Sequence, residues 1–254
     1  MPPYDPDPQI IEKSFHELDF ILNWVRQRGE TVDNPVTVLV GGWAVDAYNP
    51  WYGSIDIDLV TNNRTKHSLM RILVKEHDYD HFRIGTHTVY KPTDHGPIII
   101  DFASREERYP FEGRDEELNF DILNGQTILK VIRNRISVAV PTRSLLMLFK
   151  LKASWDRAYR IDSGTADDLE WERGKLIKDY ADVIALLDPM SGGTELDFNF
   201  LGEKLGDFDF LKGCLRKIPE THDAIVKYNR MDQGKVREII ERLLKLTRNS
   251  PYFT

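Results

Sequence analysis

The stretch Ile55-Asp56-Ile57-Asp58-Leu59-Val60 constrains the fold more than any other part of the chain. Its alternation of apolar and acidic residues suits a β-strand with one face turned to a core. Residues two apart on a strand share a face at a spacing of roughly 6 to 7 Å. Asp56 and Asp58 therefore converge while Ile55, Ile57 and Leu59 turn the other way. Neighbouring carboxylates repel each other unless a cation neutralises them, and hard oxygen donors at this reach suit Mg²⁺ or Mn²⁺. Taken alone, the same pattern is also what an ordinary exposed strand face produces.

The flanking chain adds context. Residues 36–40 form a β-branched run that ends in Gly41-Gly42, and Trp43 to Tyr48 resume in helix-compatible residues before Asn49-Pro50. This predicts strand, tight turn and helix, a turn at which a phosphate can approach backbone N–H groups. Glycine turns also form with no ligand at all. Downstream, residues 64–77 read as a helix. Residues 86–90 and Ile98-Ile99-Ile100-Asp101-Phe102 read as an antiparallel pair, followed by a hairpin of 126–132 with 136–140. An acid in so apolar a run is costly to bury unless paired or metal-bound, which makes Asp101 the candidate third carboxylate. Ahead of all this, Ile10, Ile11, Phe15, Leu18, Leu22 and Val25 recur at helical spacing up to Gly29.

From Pro141 the texture becomes helical. Leu145, Leu146, Leu148, Phe149, Leu151 and Ala153 mark one helix, residues 175–188 another and Val236 to Leu246 a last one, with a less legible stretch near Phe198 to Leu215. Two domains are expected, residues 1–140 and 141–254. Residues 1–140 hold 15 Lys and Arg against 22 Asp and Glu, whereas 141–254 hold 19 of each, so the acidic balance lies in the first part. An overall charge of −7 argues against nonspecific coating of nucleic acid. The basic run Lys227, Arg230, Lys235, Arg237, Arg242, Lys245 and Arg248 reads as a solvated helix face.

A lone cysteine, Cys214, excludes an intramolecular disulfide and a thiolate-rich zinc site and suits a small buried hydrophobe. His77, His81, His87 and His95 fit no helical zinc pair, and the five tryptophans suit core and interface positions. No run approaches the ~20 apolar residues of a membrane span, and residues 1–8 lack the basic and apolar parts of a signal peptide, so a soluble cytoplasmic chain is expected.

Val40, Gly41, Gly42, Asp56, Asp58 and Asp101 together resemble the signature of the nucleotidyltransferase fold superfamily: a hydrophobic residue, two small residues, a spacer, Asp-x-Asp and a later acid on a neighbouring strand. Lys150-Leu151-Lys152-Ala153, Arg157 and Lys178-Asp179-Tyr180-Ala181-Asp182 resemble the helical half of its AbiEii-like branch, the toxin and abortive-infection type. The resemblance implies an α+β fold, a mixed β-sheet flanked by helices and followed by a mainly helical domain that closes a nucleotide cleft. It implies transfer of a nucleoside monophosphate from an NTP, ATP among them, with pyrophosphate release. Asp56, Asp58 and Asp101 would be the metal-binding and catalytic acids. Gly41, Gly42 and Ser54 would cradle phosphate, Lys150 would reach the triphosphate beside the Leu146, Phe149 and Ala153 stripe, and Asp179 or Asp182 would orient the substrate. Tyr52 stands where the branch often has arginine.

The acceptor stays open among an RNA end, a protein side chain and a small molecule, and an antitoxin is a candidate partner. Two other readings use the same acids: a non-catalytic nucleotide-sensing or partner-binding protein, and a metal-dependent phosphohydrolase.

Overall fold

The computed structural model describes residues 7–31, 35–51, 53–82 and 87–246. Residues 1–6, Tyr52, residue 86 and Arg248, on which parts of the sequence reading fall, lie outside the described residues. The chain divides into two compact units, Pro2–Tyr109 with Asn119–Thr142, and Pro110–Leu118 with Arg143–Thr254.

In the first unit, α1 (Pro8–Gln27) starts at Asp7, whose carboxylate accepts the Gln9 N–H at 2.8 Å, with proline at the first helical position. Its buried stripe includes Ile10, Ile11, Phe15, Leu18, Leu22 and Val25, the residues whose spacing predicts it. Five strands, β1 (Val38–Val40), β2 (Ile57–Thr61), β3 (Asp80–His81), β4 (Thr88–Lys91) and β5 (Ile98–Ser104), form one sheet in the order β1-β2-β5-β4-β3. β2 and β5 run parallel and the other neighbours antiparallel, so the sheet is mixed. A parallel pair needs a crossover, and α3 (Asn63–Glu76) leaves β2 to begin it, capped by Asn62 on the Thr65 N–H at 2.7 Å. Between β1 and β2 lies α2 (Gly41–Tyr48), anchored by the fully buried Trp43, whose indole N–H donates to Ser14 Oγ at 3.0 Å.

Along β5, Ile98, Ile100, Phe102 and Ser104 are buried, whereas Ile99, Asp101 and Ala103 are half-exposed. The sheet therefore has a core face and a more open face, and Asp101 belongs to the open one. A separate two-stranded sheet joins β6 (Thr127–Ile132) to β7 (Ile136–Pro141) through Arg133 and Asn134, both at positive φ.

The second unit is helical: α4 (Arg143–Ser163), α5 (Leu169–Leu187), α6 (Phe198–Asp207), α7 (Leu211–Lys217), α8 (His222–Tyr228) and α9 (Gln233–Leu246). The stretch with little legible period thus holds α6 and α7. Residues 110–118 join this unit by clasping α4. Lys152 donates to the Pro110 carbonyl at 2.9 Å and the Trp155 indole to the Glu112 carbonyl at 3.1 Å. Phe111 is buried against Phe208 and Phe210, and the Arg114 guanidinium lies 3.9 Å from the Phe210 ring centre and 4.9 Å from that of Trp155.

The architecture is α+β, a mixed sheet flanked by helices followed by a helical C-terminal part, as the resemblance implies. Among the described residues no helix is long and apolar enough to cross a membrane. Cys214 is buried, and burial pushes its thiol up to about 11, which suits the small hydrophobe expected. Trp43 and Trp24 are core residues, but Trp51 and Trp171 are about half exposed, so the tryptophans do not form one class.

Candidate functional site

β2 places Asp58 on the open face, and the register of the sheet decides what surrounds it. Asp58 is opposite Val40 on β1 and opposite Asp101 on β5, and Asp101 is opposite Thr88 on β4. Paired residues on neighbouring strands share a face. Val40, Asp58, Asp101 and Thr88 therefore form one row across four strands, with the two aspartates on adjacent strands whose backbones are about 4.8 Å apart, as sheet neighbours are. The Thr88 hydroxyl donates to Asp101 Oδ1. Both acids are half-exposed.

Asp56 sits just before β2, also half-exposed, in a bend rather than in the strand itself. Ser54 is buried. The loop that carries them is held by Asp46 of α2, a buried carboxylate that accepts the Trp51 and Gly53 N–H groups at 2.9 Å each.

At the other end of the row, Val40 leads directly into Gly41, the first residue of α2. Gly41 has φ +66°, and a Cβ there would overlap the Asp58 carboxylate. Glycine is thus required twice, for its backbone conformation and for the approach of Asp58. The N-cap residue, Val40, makes no side-chain cap hydrogen bond, and the Asp58 carboxylate lies at this helix start, where the helix dipole favours negative charge.

Lys150, Asp179 and Asp182 belong to the other unit and form a buried ion network. Lys150 Nζ lies 2.7 Å from Asp182 Oδ2 and 3.2 Å from Asp179 Oδ1. Lys178 also pairs with Asp182 at 3.0 Å, and the Tyr228 hydroxyl donates to Asp182 Oδ1 at 2.9 Å. Arg157 bonds Asp179 at 2.9 Å and Glu172 at 2.8 Å. Burial opposes the charge on Asp182, yet Lys150 and Lys178 together hold its pKa down at about 2. Burial likewise opposes the Lys150 charge, but Asp182 and Asp179 outweigh it and keep that pKa above the ordinary lysine value. The apolar stripe expected beside Lys150 is turned: Lys150 is buried and Phe149 half-exposed, because the ammonium finds its two carboxylates inside.

Among the described residues, no three His, Cys, Asp or Glu side chains are gathered into a group that could hold a metal ion. No family model matches the chain, and no curated protein matches it. Among solved structures it is similar to lincomycin-bound lincosamide antibiotic adenylyltransferase LnuA, at 16% identity and a TM-score of 0.39, over 67% of this chain and 94% of that one. That similarity is too distant to transfer an activity or a substrate.

Asp46 and Thr88 do not stand out in the sequence. Asp46 lies inside a helix-compatible run. Thr88 could have been found by carrying the expected pairing of 86–90 with 98–102 through to its register, which sets it opposite Asp101.

Proposed function

We propose that the chain is a divalent-metal-dependent nucleotidyltransferase that moves a nucleoside monophosphate from an NTP to a hydroxyl or phosphate acceptor. The observation that carries this reading is the row in which Asp58 and Asp101 face each other across parallel strands while the Asp58 carboxylate rests on Gly41 at the start of α2.

The donor set fits a hard cation. Mg²⁺ is typically held by one or two carboxylates and keeps its remaining positions for water and substrate phosphates. In this reading Asp58 and Asp101 would supply those carboxylates, with Asp56 at the strand entrance beside them. Bound there, Mg²⁺ or Mn²⁺ would neutralise the triphosphate and lower the pKa of the acceptor hydroxyl. The chain's own groups would do the rest. The Gly41 and Gly42 N–H groups at the start of α2 would donate to phosphate oxygens. The acceptor oxygen bonds to the α-phosphorus, the bond to the bridging oxygen breaks, pyrophosphate leaves and the acceptor proton passes to a carboxylate, Asp101 in this proposal, or to water. Ser54, whose hydroxyl would add a phosphate contact in this reading, is buried. Lys150 is committed to Asp179 and Asp182, so a phosphate contact by it would mean giving up one of them. The split into a catalytic part, residues 1–140, and a helical part, residues 141–254, that contributes Lys150, Asp179 and Asp182 belongs to the same proposal.

The test is incubation with each of the four NTPs and Mg²⁺, with EDTA controls, reading both pyrophosphate and inorganic phosphate. The reading expects pyrophosphate, lost with EDTA and in Asp58→Asn. Inorganic phosphate as the metal-dependent product supports the phosphohydrolase. NTP binding with neither product, across RNA and small-molecule acceptors, supports the sensing protein.

A further inference from the structure

We propose that Thr88 is the positioning residue for Asp101, an inference that rests on the site reading above. Thr88 and Asp101 are register partners on β4 and β5, and the Thr88 hydroxyl donates to Asp101 Oδ1. Both are half-exposed members of the row that also holds Asp58. An aspartate side chain turns about two torsions. A hydrogen bond from a neighbouring strand fixes them. It engages one of about four acceptor sites of the carboxylate.

Threonine suits this duty for two reasons. Its β-branch is at home in a strand and restricts its own χ1, so the hydroxyl is held rather than free to rotate away. Its hydroxyl is also neutral, so it orients the carboxylate without cancelling the charge that a cation needs. An arginine or lysine at the same place would compete for that charge. Hydrogen bonds to ligating carboxylates typically change metal affinity or activity by 10- to 100-fold when removed.

The experiment compares Thr88→Val, Thr88→Ser and Asp101→Asn with the wild-type chain. Valine keeps shape and strand preference but loses the hydroxyl, and serine returns it. Mn²⁺ binding is titrated without nucleotide by the EPR signal of the free ion, and turnover and melting temperature are measured alongside. The inference expects Thr88→Val to bind Mn²⁺ roughly tenfold more weakly or worse and to lose kcat to a similar degree. It expects the KM for NTP and the melting temperature to stay near wild type, and Thr88→Ser to recover both binding and turnover. Normal Mn²⁺ binding in Thr88→Val, beside a loss in Asp101→Asn, overturns the positioning role and leaves the site reading standing. Failure of serine to rescue makes the effect one of packing and also overturns it. Unchanged binding and turnover in Asp101→Asn overturn the site reading, and the inference falls with it.

Discussion

At the scale of single residues, the Gly41 and Lys150 positions show opposite uses of close approach. Gly41 brings backbone and carboxylate together where any Cβ would intrude, and its φ of +66° disfavours every other L-residue. Gly41→Ala is therefore expected to destabilise by more than the ~1 kcal/mol that the same change contributes where the backbone tolerates it, and to displace Asp58. Thermal melts with and without Mn²⁺ check this: the variant should melt lower and gain nothing from the ion. Lys150 is a different case, since its charge is committed to two buried aspartates. Removing one partner of a buried ion pair costs about 3 kcal/mol, because the other charge is left behind. Lys150→Met should accordingly lower the melting temperature, with Arg157 and Lys178 limiting the damage. Unchanged melting with weaker NTP binding would instead mark Lys150 as a phosphate contact.

Among the elements, the seam between α4 and α5 carries a pH dependence of definite sign. Asp182 has a folded pKa of about 2 against 3.8 unperturbed, so its contribution is complete at neutral pH and is lost as pH falls through about 4 to 2. That shift corresponds to about 2 kcal/mol for a fully buried group. Urea melts at pH 6, 4 and 3 should show falling stability, and Asp182→Asn, already weaker, should show a shallower fall. Legibility in the sequence also divides by element. The helix ending near Gly29 and the strand into Gly41-Gly42 are local patterns in which burial follows period, and they appear where expected, whereas the Asp56 to Asp58 alternation holds only in part: Asp56 lies in a bend before β2 and Ile55 is half-exposed rather than in the core. The α6, α7 and α8 helices are only 7 to 10 residues long, too short for a period to separate from noise. The clasp of residues 110–118 on α4 depends on Phe208 and Phe210, almost a hundred residues away, and no local pattern encodes it.

For the whole molecule, the sheet order matters more than any one motif. Val40, Asp58, Asp101 and Thr88 come from four strands that span residues 38 to 104, and only the order β1-β2-β5-β4 aligns them. The sequence shows the acids; the pairing that brings them into one row, and the threonine that ends it, come from the register. A ligand that binds only the folded chain raises its stability by RT ln(1 + [L]/Kd), so an NTP with Mg²⁺ at a hundred times its Kd should add about 2.7 kcal/mol, and should add far less to Asp58→Asn. The measurement that bears most directly on the central claim follows the label rather than the stability. The wild-type chain is incubated with Mg²⁺, RNA and small-molecule acceptors, and NTP labelled at either the α- or the γ-phosphate. The row of acids predicts α-label joined to an acceptor and γ-label in pyrophosphate, with both lost in Asp58→Asn. Turnover that leaves α-label on no acceptor and releases γ-label as inorganic phosphate, or transfer that survives in Asp58→Asn, would contradict it.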